Sequence, residues 1–181
     1  MIAAILALAL VHESGVSSSR IETGGDDVRV TFTFSLEDLA ALVRLDANRD
    51  GLIDPGEWTR ALPAIFGYLA DHYRIDGCRG EGDAGVRPGR MSAKELRAPV
   101  TLAMHFVPAK PLDRLRIACD LFREHGGNPR HVAELADGGT IVFDAGRREF
   151  ERTLVRGGSP WPWIAAAIVS ALLAATALLK F

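Results

Sequence analysis

Apolar and polar residues alternate along several short stretches of the chain, which predicts β-strands. The clearest stretch is residues 28–34, where valine and phenylalanine alternate with arginine and threonine, as in a strand with one buried face. The turn sequence Gly-Gly-Asp-Asp separates it from an earlier strand and predicts a hairpin. Strands are predicted over residues 17–23, 28–34, 73–78, 100–106, 115–121, 131–136, 140–143 and 150–155. About eight short strands with frequent turns predict a mostly β fold, either an antiparallel sandwich or a barrel-like sheet.

Two helices interrupt this pattern of strands. The Ser35 hydroxyl can cap a first helix, and Asp38 completes a capping box just before apolar residues recur at helical spacing. A second helix is predicted over residues 55–72, with Pro63 inside it expected to cause a kink. The chain therefore inserts a helix–loop–helix, residues 35–73, into the β-rich domain.

The residues between these helices match the twelve-residue calcium loop of an EF-hand. Residues 46–57 read DANRDGLIDPGE, with oxygen-bearing side chains at alternate positions and Gly51 where the loop must turn sharply. Calcium is favoured over magnesium because a glutamate at position twelve can give both carboxylate oxygens, whereas magnesium requires a strict octahedron. The predicted Ca²⁺ ligands are Asp46, Asn48, Asp50, Leu52 through its carbonyl, Asp54 directly or through water, and Glu57.

A single loop leaves the role of calcium open, because EF-hands in sensors usually occur in pairs and no second loop is found in this sequence. A lone site in an extracellular module binds calcium with a Kd of about 10⁻⁴–10⁻³ M and acts as a structural clamp. The alternative is a regulatory site. Glu57→Gln separates the two, since a clamp loses calcium-dependent thermal stability and a switch loses calcium-dependent partner binding.

Apolar runs at both ends predict export and membrane anchoring. Residues 1–11 form a predicted signal peptide, although no cation precedes the apolar run; the alternatives are a buried first strand or a wrongly assigned start. Residues 161–179 contain no charge and as a helix span about 28 Å, the thickness of a bilayer's hydrocarbon core. The predicted organisation is a signal peptide, a β-rich ectodomain over residues 12–159, and a transmembrane helix with a short tail over residues 160–181.

The orientation in the membrane rests on two opposing signals. Four arginines precede the predicted membrane helix and one lysine follows it, which alone favours a cytoplasmic domain. An export signal commits the domain to translocation, and the charge rule weakens for whole domains. The prediction is therefore a single-pass membrane protein with its domain outside the cytoplasm.

Composition and motifs argue against several classes of function. The chain has 21 Lys and Arg against 23 Asp and Glu, without a basic run, which excludes a typical nucleic-acid partner. No nucleophile elbow, phosphate-binding loop, HExxH or dinucleotide fingerprint occurs, so we expect no enzyme, no catalytic residue and no organic cofactor.

Cys78 and Cys119 either form one disulfide or are an exposed and a buried thiol. His12 and His105 could assemble a transition-metal site, but scattered histidines are more often ordinary surface or core residues.

The arrangement resembles the extracytoplasmic N-terminal domain of bacterial membrane proteins of the HupE/UreJ type, the hydrogenase and urease accessory family. The likeness lies in His12 soon after the export signal, the sequence TFTFSLEDL at residues 31–39, and the Leu45-Asp46 step into the calcium-type loop. It covers most of residues 11–154. That family carries a bundle of several membrane helices, some with histidines, and has been linked to nickel. This chain has one candidate helix without histidine, so nickel transport is not carried over.

The resemblance implies an exported, membrane-tethered β-domain of the bacterial cell envelope. We expect a calcium-binding interaction or accessory module, with a protein partner in the envelope and an oligomeric state that the sequence does not fix. A second hypothesis is an accessory subunit of a metal-ion transporter, which predicts co-purification with a polytopic protein. A third is an EF-hand sensor facing the cytoplasm, which predicts an intact N-terminus and micromolar affinity.

Overall fold

The computed structural model describes residues 16–24, 27–83, 89–123 and 128–154, and these residues form a mostly β fold as predicted. The two helices are α1 (Leu36–Leu42) and α2 (Pro55–His72). The strands are β1 (Val16–Gly24), β2 (Asp27–Ser35), β3 (Leu52–Ile53), β4 (Tyr73–Ile75), β5 (Cys78–Gly82), β6 (Met91–Ser92), β7 (Pro99–Pro108), β8 (Arg114–Cys119), β9 (Arg130–Leu135), β10 (Thr140–Phe143) and β11 (Glu149–Thr153).

Two predicted segments lie outside the described residues, namely the signal peptide at residues 1–11 and the membrane helix at residues 160–181. Within the described ranges, no helix combines the length and the apolar character needed to cross a bilayer. The proposed span at residues 161–179 therefore stays a prediction.

The strands form one large and two small sheets. The six-stranded sheet has the order β10-β9-β1-β2-β7-β5, the three-stranded sheet has the order β11-β8-β4, and β3 pairs with β6 alone. The predicted hairpin is confirmed, since β1 and β2 pair antiparallel with Ser18 opposite Thr33. Strand β1 also pairs with β9, and this pair is parallel, which the alternation of residues does not predict.

Four predicted strands, at residues 73–78, 115–121, 131–136 and 150–155, end earlier than predicted, and the backbone gives a reason for the first two. The stretch 73–78 is divided into β4 and β5, because Gly77 adopts a left-handed conformation with φ of 72° and turns the chain. Strand β8 ends at Cys119, and Phe122 two residues beyond Asp120 has φ of 60°. The apolar spacing continues through Leu121, but the backbone no longer follows the strand.

Both predicted helices are confirmed, and α2 has the predicted bounds. Ser35 caps α1 and forms a capping box with Asp38, as the sequence indicates. A second capping box, between Asp54 and Glu57, begins α2 at Pro55. The sequence signal for this second box, an aspartate three residues before a glutamate, coincides with two predicted calcium ligands.

One hydrophobic core joins the sheets and the helices. Tyr73 of β4 is fully buried, with its ring edge-on to Phe32 at 4.9 Å and tilted against Phe106 at 6.0 Å between ring centroids. Because Phe32 and Phe106 belong to the six-stranded sheet, Tyr73 packs the three-stranded sheet against it. The buried faces of α1 and α2 contribute to the same core through Leu36, Leu39, Trp58, Ala61, Leu62, Ile65 and Leu69.

Gly82 of β5 lies so close to α2 that alanine does not fit. A Cβ at this position would be 2.3 Å from the ring of Phe66, whereas a Cβ at Gly67 of α2 would meet nothing within 4 Å. We expect Gly82→Ala to lower the free energy of unfolding by about 2 kcal/mol through overpacking. Gly67→Ala should leave it unchanged or raise it by up to about 1 kcal/mol through helix propensity. Urea unfolding of both variants checks this, and equal effects would contradict the close packing of β5 on α2.

Candidate metal site

The backbone of the loop at residues 46–57 contains two residues in a left-handed conformation. Arg49 has φ of 64° and Gly51 has φ of 83°, both in the left-handed region. Glycine adopts this conformation without steric cost, and arginine does so only where its surroundings require it. Both residues lie between the end of α1 at Leu42 and the start of α2 at Pro55.

The first half of the loop is held by side-chain oxygens that accept hydrogen bonds from the main chain. Asp46 accepts through Oδ1 from the Asp50 amide at 3.2 Å and through Oδ2 from the Gly51 amide at 2.9 Å. Asn48 Oδ1 accepts from the Asp50 amide at 2.8 Å, and Asp50 Oδ1 accepts from the Leu52 amide at 2.8 Å. The predicted ligand side chains therefore organise the loop around its own amides.

The carbonyl of Leu52, the predicted main-chain ligand, points away from β6. Gly51 accepts a hydrogen bond from the Ala93 amide at 3.0 Å, and the next pair along, Leu52 and Ser92, lies directly opposite in the antiparallel register. Hydrogen-bonded and non-hydrogen-bonded pairs alternate in such a ladder, so the polar groups of Leu52 face the loop. This leaves the Leu52 oxygen on the side where a cation would bind.

Glu57 connects the two ends of the loop. Its side chain is 2% exposed, and its Oε1 accepts from the amides of Ala47 at 2.8 Å and Asn48 at 3.2 Å. Oε2 accepts from the Asp54 amide at 3.1 Å, while Asp54 Oδ1 accepts from the Glu57 amide at 2.9 Å. A single buried carboxylate thus joins the start of the loop to the first turn of α2.

The six predicted ligands therefore share one loop, but their carboxylates do not converge on one point. Across residues 16–24, 27–83, 89–123 and 128–154, no three His, Cys, Asp or Glu side chains form a group that could hold a metal ion. The carboxylates of Asp46, Asp50, Asp54 and Glu57 are directed to main-chain amides instead. Glu57 Oε1 already accepts from two amides, but the other oxygens that accept from these amides keep a second lone pair. The donor set is therefore chemically suited to a hard cation.

A buried polar cluster that the sequence analysis did not identify lies between β1 and β9. His131 is fully buried, with Nδ1 2.8 Å from the Ser17 hydroxyl and Nε2 2.8 Å from the Ser19 hydroxyl. Burial lowers the pKa of His131 to about 3, so the ring is neutral at physiological pH. A neutral imidazole has one donor and one acceptor nitrogen, so one serine hydroxyl accepts a hydrogen bond from the ring and the other donates one to it. The cluster satisfies its own polar groups and ties β1 to β9.

Other histidines pair with carboxylates near the surface. His72 Nδ1 lies 3.0 Å from Asp120 Oδ1, and His105 Nδ1 lies 3.5 Å from Asp27 Oδ2. The hypothesis of a metal site from His12 and His105 remains untested, because His12 lies outside the described residues.

Both cysteines are free thiols, so the disulfide alternative is not adopted in this structure. Cys119 is buried, and burial raises its pKa to about 12. Cys78 is half-buried rather than exposed, and its pKa is raised by burial and by the nearby Asp76 carboxylate. Neither thiol has the lowered pKa of a reactive cysteine.

The loop at residues 46–57 is accordingly the candidate functional site of the described residues. Its predicted ligands combine carboxylate oxygens, a side-chain amide oxygen and the main-chain carbonyl of Leu52, which are the donors that calcium prefers. Compared with protein-family models and with curated proteins, the sequence matches none of either.

Proposed function

We propose that the loop at residues 46–57 is an EF-hand that binds Ca²⁺, and that calcium acts there as a structural clamp. The protein is then a non-enzymatic interaction or accessory module. The supporting observations are the two left-handed positions in the loop and the two flanking helices with their capping boxes. The position of Leu52 in a non-hydrogen-bonded pair, which directs its carbonyl away from β6, adds to them.

Each ligand would have a defined part in binding. Asp46, Asn48 and Asp50 would offer side-chain oxygens and Leu52 its carbonyl. Asp54 would use Oδ2, directly or through water, because Oδ1 caps α2. Glu57 would contribute both oxygens. Calcium would reduce the repulsion among four carboxylates, and binding to the folded state alone stabilises it by linkage.

The packing of the two helices favours a structural clamp over a regulatory switch. In sensor EF-hands, calcium opens a helix pair and exposes an apolar groove for a target. Here the apolar faces of α1 and α2 are already buried in the core, with Leu39, Trp58, Ile65 and Leu69 all fully covered. Opening this helix pair would expose the core of the protein itself, so calcium is better suited to holding the helices in place.

The setting of the module follows from sequence features. We propose that the domain belongs to the HupE/UreJ type, lies outside the cytoplasm in the bacterial cell envelope, and is anchored by residues 161–179. The uncharged 161–179 stretch and the two tryptophans at its start support the anchor. The packing of Tyr73 between the six- and three-stranded sheets supports a sandwich-like arrangement.

A calcium titration of the detergent-solubilised full chain tests the clamp. From the affinity typical of extracellular modules, 10 mM Ca²⁺ should raise the free energy of unfolding by about 1.4–2.7 kcal/mol. Asp50→Asn keeps the Oδ1 acceptor for the Leu52 amide but removes a ligand charge, so it should lose most of this gain. Asp71→Asn makes the same charge change on the exposed end of α2 and should retain it.

Calorimetry and thermal melts of the three proteins provide the readout. Submillimolar to millimolar affinity with a large rise in melting temperature would support the clamp. Micromolar affinity with little stabilisation would favour the cytoplasmic sensor, and no heat of binding at 10 mM calcium would remove calcium from the function.

A further inference from the structure

The segment at residues 91–98 contacts the middle of the candidate calcium loop. Its first two residues form β6, which pairs with β3, the seventh and eighth positions of the loop. The Ala93 amide extends this ladder by donating to the Gly51 carbonyl at 3.0 Å. Strand β3, at the centre of this loop, therefore pairs with another segment of the same chain. In sensors, by contrast, an EF-hand loop pairs with a second EF-hand loop.

The same segment also contacts the beginning of α1. The Glu37 amide donates to the Leu96 carbonyl at 2.8 Å, and the Leu36 amide donates to the Ala98 carbonyl at 2.9 Å. These amides belong to the first turn of the helix, where no partner exists within the helix itself. The next residue, Pro99, pairs with Ser35 and begins β7 of the six-stranded sheet.

We propose that the 91–98 segment is the element through which calcium occupancy of the loop stabilises α1 and the six-stranded sheet. This inference rests on the proposed calcium binding. Calcium at residues 46–57 fixes β3, β3 fixes β6 and Ala93, and the segment in turn holds the amides of Leu36 and Glu37. The loop is thereby connected to the start of α1 by a second route besides the chain through α1 itself.

Hydrogen exchange resolved to single amides, with Ca²⁺ as the only added ligand, tests this route in the full chain. We expect calcium to slow exchange at Ala93, Glu37 and Leu36 by at least about threefold, in addition to the loop itself. The amides of Asp76 and Leu154 form similar bonds, to the carbonyls of Arg116 and Asp113, and serve as remote references that calcium leaves unchanged. Protection confined to residues 46–57 would overturn the proposal.

A matched pair of proline variants gives the second measurement. Ala93→Pro removes the bond to Gly51, and Ala109→Pro removes a bond of equal length, 3.0 Å, from Ala109 to Gly77 far from the loop. Ala93→Pro should weaken calcium binding by about five- to tenfold, the equivalent of one hydrogen bond. It should also abolish calcium-dependent protection at Leu36 and Glu37, while Ala109→Pro keeps both.

The outcomes separate this inference from the proposed function. If wild-type protein shows no calorimetric calcium binding, the proposed function fails and the coupling falls with it. If calcium binds but Ala93→Pro retains protection at Leu36 and Glu37, only the coupling is refuted. If Ala93→Pro does not fold, the exchange pattern of the wild-type protein decides alone.

Discussion

Replacing Glu57 with alanine is expected to lower the free energy of unfolding by about 3–5 kcal/mol even in excess EDTA. The reason lies in the hydrogen bonds of a buried carboxylate, which accepts from the amides of Ala47, Asn48 and Asp54. Alanine removes both acceptor oxygens, and with them all three hydrogen bonds, and leaves partly buried amides without partners. The lost hydrogen bonds do not depend on calcium, they outweigh the relief of repulsion among the loop carboxylates, and their cost adds to any loss of metal binding.

Urea unfolding in EDTA measures this effect, with Glu37→Ala as the control. Glu37 lies on the exposed side of the first turn of α1, so its removal should change the free energy of unfolding by no more than about 0.5 kcal/mol. Similar values for the two variants would show that the Glu57 carboxylate does not organise the loop in the absence of metal.

Lowering the pH from 7 to 4 is expected to cost about 3 kcal/mol of stability through His131 alone. Burial lowers the folded-state pKa of His131 to about 3, whereas an unfolded histidine titrates near 6.5. As the pH falls through 6.5, the His131 imidazole binds a proton in the unfolded state but stays neutral in the folded state. The contribution is therefore fully present above about pH 6.5 and is lost progressively as the pH approaches 3.

The variant His131→Gln isolates this contribution from the carboxylates that also titrate near pH 4. Glutamine has a donor and an acceptor for the hydroxyls of Ser17 and Ser19 but no titration in this range. The unfolding free energy of the wild type minus that of the variant should fall by about 3 kcal/mol between pH 7 and pH 4. His105→Gln makes the same substitution at a more exposed histidine and serves as the control. Parallel pH profiles for wild type and His131→Gln would contradict a neutral buried imidazole.

The helix–loop–helix could be predicted closely because local chemistry determines it. Ser35 and Asp38 define the start of α1, Pro55 defines the first turn of α2, and Gly51 marks the turn between them. Each of these features depends on residues within a few positions of one another. Asp54 has two parts, since it is a predicted ligand and also caps α2. The sequence contains the signal for both, but the hydrogen bonds of the structure reveal the second.

Features that join distant parts of the chain could not be predicted in this way. Strand β6 has only two residues and no alternation, and its partner is fixed by where the 91–98 segment crosses the loop. The buried Ser–His–Ser cluster did leave a signal, since Ser17 and Ser19 share the inward face of β1 with Ile21. Polar residues on an apolar face indicate a buried partner, but the sequence does not tell that the partner is His131.

The parallel pair of β1 with β9 has a consequence for the order in which the polypeptide is made. β1 and its hairpin partner β2 leave the ribosome first, yet the other edge of β1 is completed by Arg130–Leu135. About 100 residues separate these strands, which at ordinary translation speed is a delay of about 5–20 s. Throughout that interval β1 presents an open edge on which another strand can pair wrongly. A chain that stops before residue 130 is therefore expected to leave this edge of β1 exposed to aggregation.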